Sequence, residues 1–169
     1  MTVKVSLALA NAVLGAGSVK SQLDNGFIYI FAGAEPANAD TVLDMVGTHT
    51  LLAKIAADAV PVDAGVTGLT FAASASNRAL VKNAGETWAA KVHFTGKDAA
   101  QAGVSALTAT FYRFCAAGDN GQVVGTTLTP RVQGSVGLSG ADLNLSNVAL
   151  FDNNTNTVGI NAYELRLDV

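Results

Sequence analysis

The chain has 169 residues, which is one domain's worth; half are hydrophobic and only 14% are charged, against roughly 25% in an average soluble domain. That balance excludes a disordered chain, which combines low hydrophobicity with high charge. A net charge of −3 lacks the basic footprint of a nucleic-acid binder, and a single cysteine, Cys115, excludes an intrachain disulfide.

The first apolar run, 3–17, is interrupted by Lys4, Ser6 and Asn11 and falls short of the roughly 20 residues a membrane-crossing helix needs. Val3, Leu7, Ala10 and Leu14 recur at helical spacing, with Val5, Leu9 and Val13 beside them. The spacing predicts a short helix or arm over 1–17, ending where Gly15 or Gly17 accepts the left-handed C-cap conformation. A cleaved secretory signal, with Lys4 ahead of the Ala/Leu stretch, is the less favoured reading.

Period-two alternation dominates from there, so 18–169 reads as one β domain. Residues Gly26 to Gly33 are apolar on both faces and imply a strand covered on both sides. Pro36, Asn38 and Asp40 mark a loop, and Leu51 to Ile55 and Leu69 to Ala72 are further strand candidates. Trp88, Ala90, Val92 and Phe94 share one strand face, which places Trp88 in the core and His93 on the polar side. Thr108 to Ala116 alternates in the same way, and Gly118-Asp119-Asn120-Gly121 suits a tight connection. Arg131, Gln133 and Ser135 alternate with Val132, Gly134 and Val136. Asp142 to Ser146, Val148 to Leu150 and Tyr163 to Val169 complete the set. About eight short strands between Gly/Asn/Asp turns predict a mainly β fold, a β-sandwich with the jelly roll as one candidate form, and one short N-terminal helix.

Chemistry is hard to assemble from these residues. Neither His49 nor His93 sits in a nucleophile motif, and Cys115 falls in an apolar strand, where cysteine behaves as a small hydrophobe. The acids are scattered singly, with Asp24, Asp119, Asp142 and Asp152 read as turn or strand-edge residues. The run Asp152-Asn153-Asn154-Thr155-Asn156 resembles half of an oxygen-ligand calcium loop, but Thr157 stands where such a loop needs glycine. A polar turn is the favoured reading. No catalytic, cofactor-binding or metal-binding residue is therefore assigned.

A charge-poor surface suits a subunit covered by other chains, since obligate interfaces are depleted in charge. Val3, Leu7 and Leu14 are the candidate docking stripe, either onto the domain's own sheet or onto a neighbour. The landmarks also occur in a familiar order. Gly33-Ala34-Glu35-Pro36-Ala37 is followed by Leu51-Leu52-Ala53, Trp88-Ala89-Ala90 and Thr110-Phe111-Tyr112-Arg113-Phe114. Gln133-Gly134-Ser135-Val136-Gly137, Asp142-Leu143-Asn144-Leu145 and a closing strand complete the series. This order resembles small β-rich virion proteins of tailed bacteriophages, several of which are capsid decoration (cement) proteins. The resemblance spans most of the chain but is poor over 54–81 and 97–106. It implies a structural, non-catalytic role on the capsid exterior, reached from the host cytoplasm during assembly. It also implies contacts with a major capsid protein and with copies of itself, a trimer being favoured, and no nucleic-acid or membrane partner. The alternative is a tail, baseplate or host-glycan-binding component.

Overall fold

The computed structural model describes residues 3–15, 17–58, 67–72, 79–123, 129–153 and 156–166. In chain order they form β1 (Lys4–Val5), α1 (Leu7–Gly15), α2 (Val19–Leu23), β2 (Phe27–Ala32), β3 (Thr50–Ile55), β4 (Ala79–Val81) and β5 (Trp88–Lys91). β6 (Thr95–Gly96), β7 (Leu107–Thr108), β8 (Phe111–Cys115), β9 (Arg131–Gly137) and β10 (Leu143–Asn144) follow. The last three are β11 (Ala149–Leu150), β12 (Thr157–Ile160) and β13 (Glu164–Arg166).

Seven of these strands make one sheet in the order β1-β9-β8-β2-β3-β6, with β10 beside β9. Every pairing in it is antiparallel except β10 with β9. The apolar β2 lies inside the sheet between β3 and β8, which is where a strand hydrophobic on both faces belongs. Ile28 and Ile30 face one way with Tyr112, Phe114 and Val132, and they pack on Trp88, Val92, Val158, Ile160 and Leu165 from the short pairs β5-β12 and β4-β13. The fold is thus mainly β and sandwich-like. Phe71, Trp88, Phe114 and Tyr163 meet between the layers; Phe71 stacks on Phe114 at 5.4 Å and Trp88 meets Phe114 edge-on at 6.0 Å. Trp88 is buried as its phase predicts, and its indole N–H donates to Glu86 Oε2 at 2.6 Å.

The N-terminal element begins later than its spacing implies. Lys4 and Val5 pair with Gln133 and Val132 at the sheet edge, and Ser6 starts the helix by accepting the Leu9 N–H on its hydroxyl at 3.1 Å. The sequence reading did not anticipate α2, whose start is a capping box between Ser18 and Ser21. Leu69 and Phe71 appear as isolated bridges rather than a strand, and the closing strand ends at Arg166 among the described residues.

The opposite face of the sheet is also covered, by a loop. Tyr29, Phe31, Leu51, Phe111 and Cys115 form a second, smaller apolar cluster with Leu43 and Met45 from the segment 33–49. Phe31 stacks on Phe111 at 5.0 Å. This segment lies over the sheet as a strap.

Candidate interaction surface

The strap is held by charge and main-chain hydrogen bonds as well as by apolar contact. Arg113 and Arg131 rise from β8 and β9 on the strap side, and both are almost completely buried. Arg113 donates Nε–H to Gln133 Oε1 at 2.9 Å, Nη1–H to Gly121 O at 2.8 Å and Nη2–H to Thr41 O at 2.9 Å. Arg131 makes a two-pronged pair with Asp119, Nε to Oδ2 at 2.5 Å and Nη2 to Oδ1 at 2.7 Å. It also reaches Val123 O at 2.6 Å and Ala39 O at 3.3 Å. Lys4 pins the strap's start, donating to Glu35 Oε1 at 2.7 Å and Pro36 O at 2.9 Å.

Burial opposes the charge on Asp119. Hydrogen bonds from Arg131, Gly121 N–H and Thr129, with the charge of Arg131, outweigh it and hold the carboxyl below its ordinary value. Burial and the like charge of Arg131 push Arg113 down to about 10, so it stays cationic at neutral pH. Burial, with the carboxylate of Asp119 close by, drives the Cys115 thiol well up. An inert thiol follows, since the thiolate is the reactive form.

The alternation in β9 leaves open which side is wet, and the structure buries Arg131 and Gln133 beneath the strap. Asp119 stays in its turn and is also half of a buried ion pair. Period-two alternation reports which side of a strand a residue is on; whether that side is wet depends on a loop from elsewhere in the chain.

The predicted stripe is divided between inside and outside. Val3 precedes the helix and packs against the main core, and Leu9, on the far side of α1 from Leu7, is buried. Leu7 and Leu14 remain outside, 54% and 85% exposed. They have apolar company. The Leu7 N–H donates to Asp40 Oδ2 at 2.8 Å, the Leu43 N–H to Gln122 O at 2.8 Å, and Arg131 holds Val123 O. These bonds bring α1, the strap and the 119–123 turn together. The exposed side chains of Leu7, Val42 and Val123 therefore sit on adjoining segments, with exposed Val5 beside them on β1.

Compared with known proteins, the chain matches no protein family, no curated protein and no solved structure. The reading of this surface rests on its own chemistry.

The residues weighed for catalysis lie apart from it. The His49 ring bonds Ala34 O through Nε2 at 3.0 Å and Thr48 Oγ1 through Nδ1 at 2.8 Å, and it meets Phe111 edge-on. It fastens the strap's two ends. His93 is exposed, with Nδ1 3.5 Å from Asp152 Oδ2. Asp152 turns inward, its Oδ2 accepting the Phe94 N–H at 2.8 Å, and Asn153 Oδ1 accepts the Asn156 N–H at 2.9 Å. Both oxygens thus accept backbone N–H groups, and residues 154 and 155 of the Asp152–Asn156 run lie outside the described residues. Among the described residues, no three His, Cys, Asp or Glu side chains converge as metal ligands, and no helix is long and apolar enough to cross a membrane.

Proposed function

We propose that the protein is a structural component of a tailed-phage particle that decorates and stabilises the assembled capsid through protein–protein contacts. The reading stands on the exposed apolar surface of Leu7, Leu14, Val42 and Val123, carried on α1, the strap and the 119–123 turn, the latter two gripped from beneath by buried arginines of the sheet. Burying such side chains yields about 25 cal/mol per Å² of apolar area. A subunit that binds only the assembled shell stabilises that shell by mass action. The sequence resemblance and the low charge favour the same role. Cyclic self-association, as a trimer, would let one patch serve several contacts, with a major capsid protein as the other partner. The host-glycan alternative draws less support, because Trp88, Phe71, Tyr112 and Tyr163 are engaged in the core and offer no sugar-stacking platform.

The test is sedimentation of the purified protein with and without assembled phage shells, repeated with the double variant Leu7→Asp/Leu14→Asp. The expected result is a stable oligomer that adds to shells, and a folded double variant that does not. A monomer that ignores shells overturns the proposal.

A further inference from the structure

Thr70 and Asn83 are neighbours across a short antiparallel pairing. Phe71 bridges Lys82, the Ala72 N–H donates to Val81 O at 2.9 Å, and the Asn83 N–H donates to Thr70 O at 3.1 Å. The chain then turns through Ala84 and Gly85, where the Glu86 N–H closes on Asn83 O at 3.2 Å. That turn returns Glu86 to the side chains of Thr70 and Asn83, and all three residues are half-buried.

The Thr70 hydroxyl donates to Glu86 Oε1. Asn83 Nδ2 lies 3.1 Å from Thr70 Oγ1 and 3.4 Å from the same Glu86 Oε1. Asn83 Oδ1 accepts the Gly85 N–H at 3.0 Å. Glu86 Oε2 is fixed by the Thr70 N–H at 3.0 Å and the Trp88 indole N–H at 2.6 Å. One carboxylate oxygen thus touches both the hydroxyl proton and the amide nitrogen, while a backbone donor sits on the amide oxygen. These are the parts of an acyl transfer: a nucleophile with its base, a proton carrier within reach of the leaving group, and a donor for the developing oxyanion. Burial opposes the charge on Glu86, but hydrogen bonds from Thr70 and Trp88 and the charge of Lys82 outweigh it and hold the carboxyl below its ordinary value. At neutral pH Glu86 is therefore a proton acceptor.

We infer that Thr70 and Asn83 join in an intramolecular ester, formed by the chain on itself with Glu86 carrying the proton. Oγ1 attacks Asn83 Cγ as its proton passes to Glu86 Oε1, and the carbonyl electron pair moves onto Oδ1 against the Gly85 N–H. The pair then returns, the Cγ–Nδ2 bond breaks, and Glu86 hands the proton to Nδ2. Hydroxyl and carboxamide become ester and ammonia, Glu86 is restored, and no co-reactant is needed. Holding both groups side by side replaces the high concentration such an exchange needs in solution, and escape of ammonia draws it forward. The product closes residues 70–83 into a covalent loop. The site is separate from the α1 surface and holds whether or not the capsid role does.

Mass spectrometry of the full chain and of its tryptic peptides is the test. Trypsin cuts after Arg78 and Lys82, between Thr70 and Asn83, so an ester leaves two peptides joined. The expected result is a chain lighter by one ammonia than its sequence, with a joined peptide pair that hydroxylamine splits. Thr70→Ser keeps the hydroxyl and still forms the bond. Thr70→Val and Glu86→Gln, each with wild-type circular dichroism, keep the ammonia and give separate peptides. A wild-type chain at full sequence mass with separate peptides overturns the inference whatever the variants do. So does a joined pair in Thr70→Val, or Asn83 recovered as aspartate. Ammonia lost without joined peptides, as in succinimide formation at Asn120-Gly121, overturns it as well.

Discussion

The chain carries one tryptophan and one cysteine, and they lie on opposite faces of the same sheet. Trp88 belongs to the main core and Cys115 to the cluster under the strap. Replacing Asp119 by Asn keeps the shape of the latch but removes the charge that answers Arg131. Both side chains are at most 4% exposed, so water does not screen the loss, and breaking such a pair costs about 3–5 kcal/mol. The cost falls on the closed state of the 119–123 turn over Cys115 and of the strap beside it, because Asp119, Val123 O and the strap's Ala39 O are all gripped by the same guanidinium. At 1.36 kcal/mol per decade, opening becomes roughly a hundred to a few thousand times more frequent. In native buffer, labelling of Cys115 by a disulfide reagent then accelerates by that factor, since local openings are counted in the labelling rate. Trp88 fluorescence stays at its wild-type position. An unchanged labelling rate refutes the latch. A Trp88 emission shift in step with labelling refutes the separation of the two faces.

Two further outcomes follow from the same residues. Asp119 has a folded pKa below its unfolded value, so its contribution is complete above about pH 4 and is lost as pH falls through the folded value. Burial raises Cys115 and Tyr29 in the fold, so their contributions are complete below the unfolded values of about 8.5 and 10 and are lost as pH rises beyond them. Thermal melts followed by circular dichroism should therefore show a plateau between those limits, and Asp119→Asn should flatten its acid side. On α1, Leu9→Ala should lower urea-unfolding stability by about 2–5 kcal/mol. Leu14→Ala should change the free protein by no more than about 0.5 kcal/mol, since Leu9 is 1% exposed and Leu14 85%.

The residues explain how far the sequence could be read. Phe27 to Ala32 and Trp88 to Phe94 carry their burial in their own pattern, and the structure places them accordingly. A strand of two residues, such as β1, β6 or β10, has no periodicity to detect. The run Thr157-Val158-Gly159-Ile160 follows an Asn/Thr tract and reads as its extension, so β12 went unseen. Ser6 is the signal that could have set the start of α1, since serine before an apolar run is an N-cap signature. Val3 would then have been separated from Leu7 and Leu14. The inward turn of Leu9 had no such signal, because an alanine-rich helix apolar on nearly every side does not say which side is buried. The latch was the least legible feature. Arg131 alternates with apolar neighbours, Arg113 shares a strand face with Phe111 and Cys115, and Asp119 sits in a turn. No single pattern joins them, and only the return of 33–49 across the sheet and the packing of the 119–123 turn bring them together.

That return has one more consequence. Arg113 and Arg131 grip the strap through the carbonyl oxygens of Ala39 and Thr41 and the neighbouring 119–123 turn through those of Gly121 and Val123. A carbonyl is the same whichever residue supplies it. The side chains at Val42, Val46 and Val123, all pointing outward, can therefore be exchanged without loosening the grip beneath them. The fold behaves as a fixed mount with a replaceable face, able to change what it touches while keeping how it stands.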